Sequence, residues 1–255
     1  GSEMCIRDSH NTASYLHFVA DFLSGSKRYL DEDHLPYATM LYYNLYQERI
    51  DKTELKEMGM YQALALLHDD RYRYFKQEAA EIVSYLLSHL EITTTPLGLD
   101  VLPCIELYGY YTREEIFTLV GRQTEEKRMS GSVSGVFNLP EYDATLLFVT
   151  LNKSDKDFSP STQYDDYVIN KDYFHWQSKN TDSHYNRGGK IYTEQPQRHN
   201  KIVLFVREEK KDGFGNTCPF HCFGLVDYVS SHGDFPMNIT WKLEKPVMAQ
   251  YLKVV

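Results

Sequence analysis

The hydrophobic period of this chain changes once, from helical to strand-like, and this change limits the possible folds more than any other feature. From about Ala13 to Glu91, apolar residues such as Phe18, Val19 and Phe22 recur at the three- and four-residue spacing of a helix. From Val133 onward, they fall in short runs rich in β-branched and aromatic residues, separated by Gly, Pro, Asn and Asp. The pattern predicts an α+β chain in which a helical bundle precedes a curved β-sheet or a small β-barrel.

The same patterns predict where the parts begin and end. We expect a tag and adaptor-like leader at residues 1–9, a helical domain at 10–110 and a β-barrel-like recognition domain at 111–255. A short helix should open the last part, because Thr112 and Glu115 have the spacing of a capping box, and Gly121 should end it. Five strands are expected after it, at Val133–Leu139, Ala144–Leu151, Ile202–Arg207, Phe223–Val229 and Met237–Leu243.

Composition restricts the environment and the partners. No apolar run has the length of a membrane span, and four cysteines form no evident disulfide framework, so we expect a cytoplasmic protein that does not contact membranes. The net charge of −9 argues against a general duplex binder coated in positive potential. Residues 1–110 carry 17 acidic and 9 basic side chains, whereas residues 111–255 carry 19 and 18, so any nucleic-acid contact is expected in the second part.

The segment at residues 151–179 mixes aromatic with short polar side chains at a density that favours a binding site. A flat ligand such as a nucleobase would find both stacking surfaces and hydrogen-bonding groups there. An equally simple alternative is a strand that buries Phe174 and Trp176 while His175 and Gln177 face solvent, because an alternating strand sends only one set inward. The candidate nucleic-acid contacts are Asn152, Lys153, Ser159, Tyr164, Tyr167, Phe174, His175, Trp176, Gln177, Ser178, Lys179 and Arg207. Among them, Lys153 follows an apolar run and would contact a phosphate, unless this stretch is only a polar turn.

Catalytic signatures are weaker. Glu208 and Lys210 follow an apolar run in the manner of a metal-dependent nuclease, which would also need Asp143 or Asp166 on a neighbouring strand. A solvated charged hairpin explains the same residues. The sequence carries no P-loop, no paired zinc knuckle and no deaminase signature, so we expect no cofactor, no metal and no catalytic residue.

Several blocks resemble an uncharacterised bacterial domain found at the C-terminus of superfamily II helicase-like proteins, often beside a phospholipase-D-like nuclease. They cover nearly all of residues 105–250 and lie at Tyr111–Ile116, Phe148–Pro160, Tyr164–Tyr167, Phe174–Ser178, Leu204–Lys211 and Phe235–Leu243. Two blocks depart from the family pattern: Lys179 replaces a glutamine, and Gly189–Tyr192 stands where a Gly-x-Arg-Tyr block is usual.

The resemblance implies a context of phage defence, restriction or DNA processing. By analogy with PUA-like and EVE-like domains, it suggests a non-catalytic module that recognises a modified or flipped base in DNA for a helicase or nuclease partner. A third alternative is a protein-interaction domain, in which the acidic helical part docks a basic partner and the aromatic segment is core. Burial of both Trp176 and His175 would favour this third alternative.

Overall fold

The structure is a computed structural model of the chain. It describes residues 12–26, 32–46, 57–90, 92–100, 102–129, 134–153 and 165–252. The chain divides into two compact units, Gly1–Gly131 and Ser132–Val255. None of the helices within the described ranges is both long and apolar enough to cross a membrane.

The first unit is built mainly from helices. These are α1 (Ala13–Ser24), α2 (Leu35–Tyr46), α3 (Met60–Ala65), α4 (Arg73–Ser88) and α5 (Arg113–Leu119), with short strands β1 (Thr95–Pro96), β2 (Glu106–Leu107) and β3 (Tyr110–Tyr111). Helix α1 buries Tyr15, Phe18 and Phe22 on one face, as the helical period predicts.

Helix α5 forms as its sequence predicts. The Thr112 hydroxyl accepts a hydrogen bond from the Glu115 amide, and the Glu115 carboxylate accepts one from the Thr112 amide. Gly121 follows with a φ of 70°, a conformation that costs glycine little. The capping box is confirmed, but α5 belongs to the first unit, so the unit boundary lies C-terminal to the predicted domain boundary at residue 110.

In the described part of the second unit, one mixed sheet is accompanied by two short α-helices. Its strands are β4 (Val136–Leu139), β5 (Ala144–Thr150), β6 (Tyr167–Val168), β7 (Tyr173–Gln177), β8 (Lys201–Arg207), β9 (Phe220–His232) and β10 (Asn238–Leu243), and its helices are α6 (Arg187–Thr193) and α7 (Gln195–Arg198). The strands lie in the order β4-β5-β8-β9-β10-β7-β6. Strands β5 and β8 are parallel, and the other neighbouring pairs in this order are antiparallel.

The α+β class is confirmed, and the sheet is open rather than closed into a barrel among the residues described. Strand β9 links two parts of the sheet, because β9 pairs with β8 along its first half and with β10 along its second. Two irregularities lie on β9: an extra residue at Phe223, followed by Gly224 with a φ of 84°, and another at Val229. Such bulges bend a strand locally and increase its twist.

The core of the second unit lies on one face of this sheet. Register places Trp176 opposite Ile239 and Phe174 opposite Trp241, and all four side chains are buried. Helix α6 covers them with Tyr192, whose ring meets Trp176 edge-on at 5.0 Å.

Candidate nucleic-acid interface

Strand β7 sends its two large aromatic side chains inward. Phe174 is fully buried and Trp176 is 4% exposed, within the core shared with Trp241. The expectation that either ring offers a stacking surface is therefore wrong, because protein atoms already cover them. The periodicity allowed this outcome, and the register with β10 selected it.

The opposite face of β7 carries His175 and Gln177. The His175 ring stacks on Tyr167 at 4.5 Å and 10°, and its Nδ1 lies 2.8 Å from the Asp165 carbonyl oxygen. The Gln177 amide is engaged at both ends: Oε1 accepts from the Asp165 amide, and Nε2 donates to Asn238. His175 is buried, so of these side chains only Tyr167 has a substantially exposed ring.

Lys153 forms a buried ion pair. Its Nζ lies 2.7 Å from Oδ2 of Asp166, and the two side chains are only 8% and 4% exposed. The other carboxylate oxygen of Asp166 accepts a hydrogen bond from the Gln177 amide at 2.8 Å. Burial raises the pKa of Asp166, and Lys153 opposes this effect. Lys153 therefore ties the end of β5 to β7, which is a structural role rather than the expected phosphate contact.

Arg207 is also held inside the protein. Its guanidinium donates to the Thr150 hydroxyl and to the Cys218 carbonyl, and it lies 4.2 Å from the centre of the Phe220 ring. The expected nucleic-acid contact by Arg207 is not supported, because its side chain is buried with these partners. Nearby, the Asn152 amide donates to the Glu208 carbonyl, so the backbones at the ends of β5 and β8 are joined.

The remaining candidates have different positions. Ser178 is fully buried, and its hydroxyl accepts from the Met237 amide. The Lys179 amide donates to Asp182, and the Lys179 side chain is partly exposed. Ser159 and Tyr164 lie outside the described residues.

The nuclease arrangement is not formed with Asp143. Strands β5 and β8 are parallel, with Ala144 opposite Lys201 and Thr150 opposite Arg207. Asp143 precedes β5 and Glu208 follows β8, so they lie at opposite ends of the pair, roughly 25 Å apart at about 3.3 Å per residue. The alternative partner, Asp166, is neutralised by Lys153. In the part of the chain that the structure describes, no three His, Cys, Asp or Glu side chains are grouped as metal ligands.

A different cluster lies where the loop after β7 meets the turn between β9 and β10. The Asp234 Oδ1 is 2.8 Å from the His184 amide nitrogen and 2.9 Å from His184 Nδ1. His184 Nε2 is 2.7 Å from the Ser231 hydroxyl, which is 2.7 Å from the Tyr228 hydroxyl. We call this continuous chain of hydrogen bonds, Asp234-His184-Ser231-Tyr228, the His184 relay.

Two exposed aromatic side chains stand next to the relay in sequence. Tyr185 follows His184 and is 85% exposed, and Phe235 follows Asp234 and is 60% exposed. The Phe235 amide donates to the Asp182 carbonyl at 3.0 Å, so the two loops are joined at a second point. Phe235 has a φ of 59°, which a bulky residue rarely adopts.

The loop that carries His184 is held tightly. The Asn186 side chain caps α6 by accepting from the Gly189 amide, and it donates to the Thr181 carbonyl. A side chain at Gly189 would overlap the Ser183 carbonyl oxygen and approach the Met237 sulfur. Glycine is thus required by close packing, which positions His184.

Basic side chains belong to the same segment. Arg187 and Lys190 are exposed on α6, and Lys179 is partly exposed before it. The sequence patterns did not single out the relay, because His184 is 50 residues from Asp234 and 47 residues from Ser231 along the chain. The signal available from sequence was an aromatic residue beside a Gly- or Pro-containing turn in each loop, Tyr185 before Gly188 and Phe235 before Pro236.

Comparison with known proteins gives one family match. A family model described as "Domain of unknown function (DUF3427)" matches residues 105–254. No curated protein matches the chain significantly. Among solved structures, the chain is similar to "Crystal structure of Arabidopsis thaliana SUVH6 in complex with SAM, form 2", with a TM-score of 0.40 and 12% identity. That match covers 93% of this chain and 41% of the other, and its TM-score is too low to support an argument.

Proposed function

Because the chain belongs to the family described as a domain of unknown function (DUF3427), we propose a function from the geometry of its own residues. We propose that the second unit is a nucleic-acid recognition module that holds an unpaired or flipped base at the His184 relay. The observation that carries the proposal is the presence of two highly exposed aromatics, Tyr185 and Phe235, on hydrogen-bonded loops beside a polar relay.

The chemistry of these groups suits a base. Exposed aromatic rings stack on nucleobases of any sequence, and each such stack contributes about 1–3 kcal/mol. The hydroxyls of Ser231 and Tyr228 are partly buried, so they offer directional contacts in a site with restricted water access. The site combines the stacking and the edge contacts that single-stranded recognition requires.

The charge distribution favours a modest affinity for nucleic acid and argues against binding to any duplex through its charge alone. Lys179, Arg187 and Lys190 supply cations in the segment that carries the relay, while residues 111–255 as a whole are close to neutral. If these three side chains each contact one phosphate, log Kd for a single strand should rise with log salt with a slope of about 2.

The test is a titration of fluorescein-labelled single strands and duplexes, the duplexes carrying plain, methylated or unpaired bases, at low salt. Tyr185→Ala and Phe235→Ala should each weaken binding by about 5- to 150-fold, as expected for the loss of one stacked base. Phe214→Ala is the matched control, because Phe214 is 95% exposed in the β8–β9 turn, away from the relay in sequence. Absence of binding to any nucleic acid, or an equal effect of Phe214→Ala, would overturn the proposal.

The wider context is part of the same proposal. We propose that the curved sheet is PUA-like, that its ligand is DNA with a modified or flipped base, and that a helicase or nuclease partner in phage defence or restriction supplies catalysis. The open curved sheet with bulges on β9 and the resemblance of the motif blocks support this context. Co-purification of this chain with a helicase-nuclease from the same source is the direct test.

A protein-interaction domain is the second candidate. Its specific support is the burial of both Trp176 and His175, which is the outcome that this alternative predicts. In this case the acidic residues 1–110, with a charge of −8 from 17 acidic and 9 basic side chains, would dock a basic partner. Binding to a basic peptide that is unaffected by Tyr185→Ala, with no affinity for nucleic acid, would favour it.

A further inference from the structure

The His184 relay fixes which atoms carry protons, and this constrains its ligand. An ionised Asp234 carboxylate only accepts hydrogen bonds, so Nδ1 of His184 carries the proton that it donates to Oδ1. The same carboxylate oxygen also accepts from the His184 amide, which holds the ring in this orientation. In a neutral imidazole, the other nitrogen, Nε2, is then an acceptor.

The position of the proton on the His184 ring also fixes which hydroxyl donates in the next two hydrogen bonds of the relay. The single hydroxyl proton of Ser231 is donated to Nε2 of His184 over 2.7 Å. The Ser231 oxygen therefore accepts from the Tyr228 hydroxyl, also over 2.7 Å, and this uses the single proton of Tyr228. Every proton of the relay is engaged within it. The two hydroxyl oxygens can offer a ligand only lone pairs.

Two features hold the Tyr228 and Ser231 hydroxyls in position. Tyr228 is held by its ring, which meets Trp241 edge-on at 6.2 Å, and by its amide, which donates to Gln195. Ser231 is paired opposite Ile239, on the core face of the sheet. The oxygens are therefore fixed acceptors at the edge of the core, and His184, Ser231 and Tyr228 are each partly exposed.

We propose that the relay selects a base that presents an exocyclic amino group, such as cytosine or adenine, over one that presents a carbonyl there, such as uracil or thymine. This inference rests on the proposed base-recognition function. An amino group donates to the oxygen lone pairs of Ser231 and Tyr228, whereas a carbonyl oxygen at the same position meets only lone pairs. Leaving such a group unpaired in a partly buried site is unfavourable.

The experiment compares two labelled decamers, dC10 and dU10, because cytosine and uracil differ mainly in the amino or carbonyl group at ring carbon 4. At pH 8, the wild-type chain should bind dC10 about tenfold more tightly than dU10, within the discrimination expected for a good pair of base contacts. Ser231→Ala removes the acceptor of the Tyr228 proton, so the Tyr228 hydroxyl can donate to a ligand as well as accept from it, and the ratio should fall to about one. The matched control is Ser230→Ala, one residue away and exposed on the opposite face of β9, which should leave the ratio unchanged.

The outcomes separate the two proposals. Equal or reversed affinity of the wild-type chain for dC10 and dU10 overturns this inference and leaves base recognition standing. Absence of binding to both decamers and to every other labelled strand and duplex overturns base recognition, and the inference with it. The wild-type ratio decides the question even if Ser231→Ala does not fold, and Tyr228→Phe, which removes one of the two acceptor oxygens, should reduce the ratio.

Discussion

The buried Lys153–Asp166 pair distinguishes a structural from a nucleic-acid-binding role for Lys153. Replacing Lys153 with Met keeps the length of the side chain and removes its charge, which leaves the Asp166 carboxylate without its cation. Because the two side chains are only 8% and 4% exposed, water cannot replace the lost partner fully. Asp166 keeps its hydrogen bond from the Gln177 amide, so the carboxylate stays in its buried position.

Removal of one partner from a buried ion pair lowers the free energy of unfolding by about 3–5 kcal/mol, and the total for a domain is only about 5–15 kcal/mol. The loss should depend on pH. Burial already raises the pKa of Asp166, and loss of Lys153 removes an effect that lowers it. A carboxyl whose folded pKa is raised stabilises the fold at pH below its unfolded pKa and loses that contribution as pH rises through the folded value. Lys153→Met should therefore be less destabilising at pH 5 than at pH 7.

Urea unfolding followed by tryptophan fluorescence measures this directly, because both tryptophans, Trp176 and Trp241, lie in the core of the second unit. Lys171→Met is the control: it breaks an exposed pair with Asp172, and such pairs contribute at most about 1 kcal/mol. A second substitution, Asp166→Asn in the Lys153→Met background, should restore part of the lost stability.

The reasoning is refuted if Lys153→Met and Lys171→Met give the same urea midpoint. If, in addition, Lys153→Met weakened nucleic-acid binding, Lys153 would be the phosphate contact that the sequence predicts.

Two further predictions concern buried groups of the second unit. Burial lowers the pKa of His221 to about 4. Since this is below the unfolded value of about 6.5, its contribution to stability is present above pH 6.5 and is lost as pH falls toward 4. Between pH 7 and pH 5, the free energy of unfolding of the wild-type chain, measured in urea, should fall by about 2 kcal/mol more than that of His221→Gln. If the unfolding free energies of the two proteins changed in parallel with pH, this prediction would be contradicted. Gly189→Ala should cost about 1–3 kcal/mol because its methyl group overlaps the Ser183 carbonyl, whereas Gly213→Ala, with open space around it, should change the melting temperature little. Equal melting temperatures would show that the loop accommodates the methyl group.

Much of the fold could be predicted because it follows from local pattern. The helical period predicted α1 and α4, and the capping box at Thr112 predicted α5. The five strands expected from apolar runs are present as β4, β5, β8, β9 and β10. Helices α6 and α7 were not predicted, because Gly188, Gly189 and Pro196 oppose helix formation in isolation. They form because Asn186 caps the first turn and Tyr192 packs on the tryptophans.

The candidate site was less predictable. Lys153 and Arg207 carry charge in a polar part of the sequence, which suggests exposed cations, yet the structure pairs one with Asp166 and places the other against Phe220. A carboxylate that neutralises a cation, or a ring that packs against one, can be far away in sequence, so composition alone does not reveal it. The same holds for His184 and Asp234, which meet only because two loops are joined.

Strand β7 shows the division between the two sources of information. The alternation of Phe174, His175, Trp176 and Gln177 determined that one pair of side chains would lie on one face of the sheet and the other pair on the opposite face. It did not determine which pair, because both contain groups that can be buried. The register with β10 decided it: Trp176 and Phe174 lie opposite Ile239 and Trp241, so the large apolar surfaces are removed from water together. The aromatic ligand-binding surface is consequently proposed at the loops that join at Asp182 and Phe235, where only tertiary contacts bring the relay together.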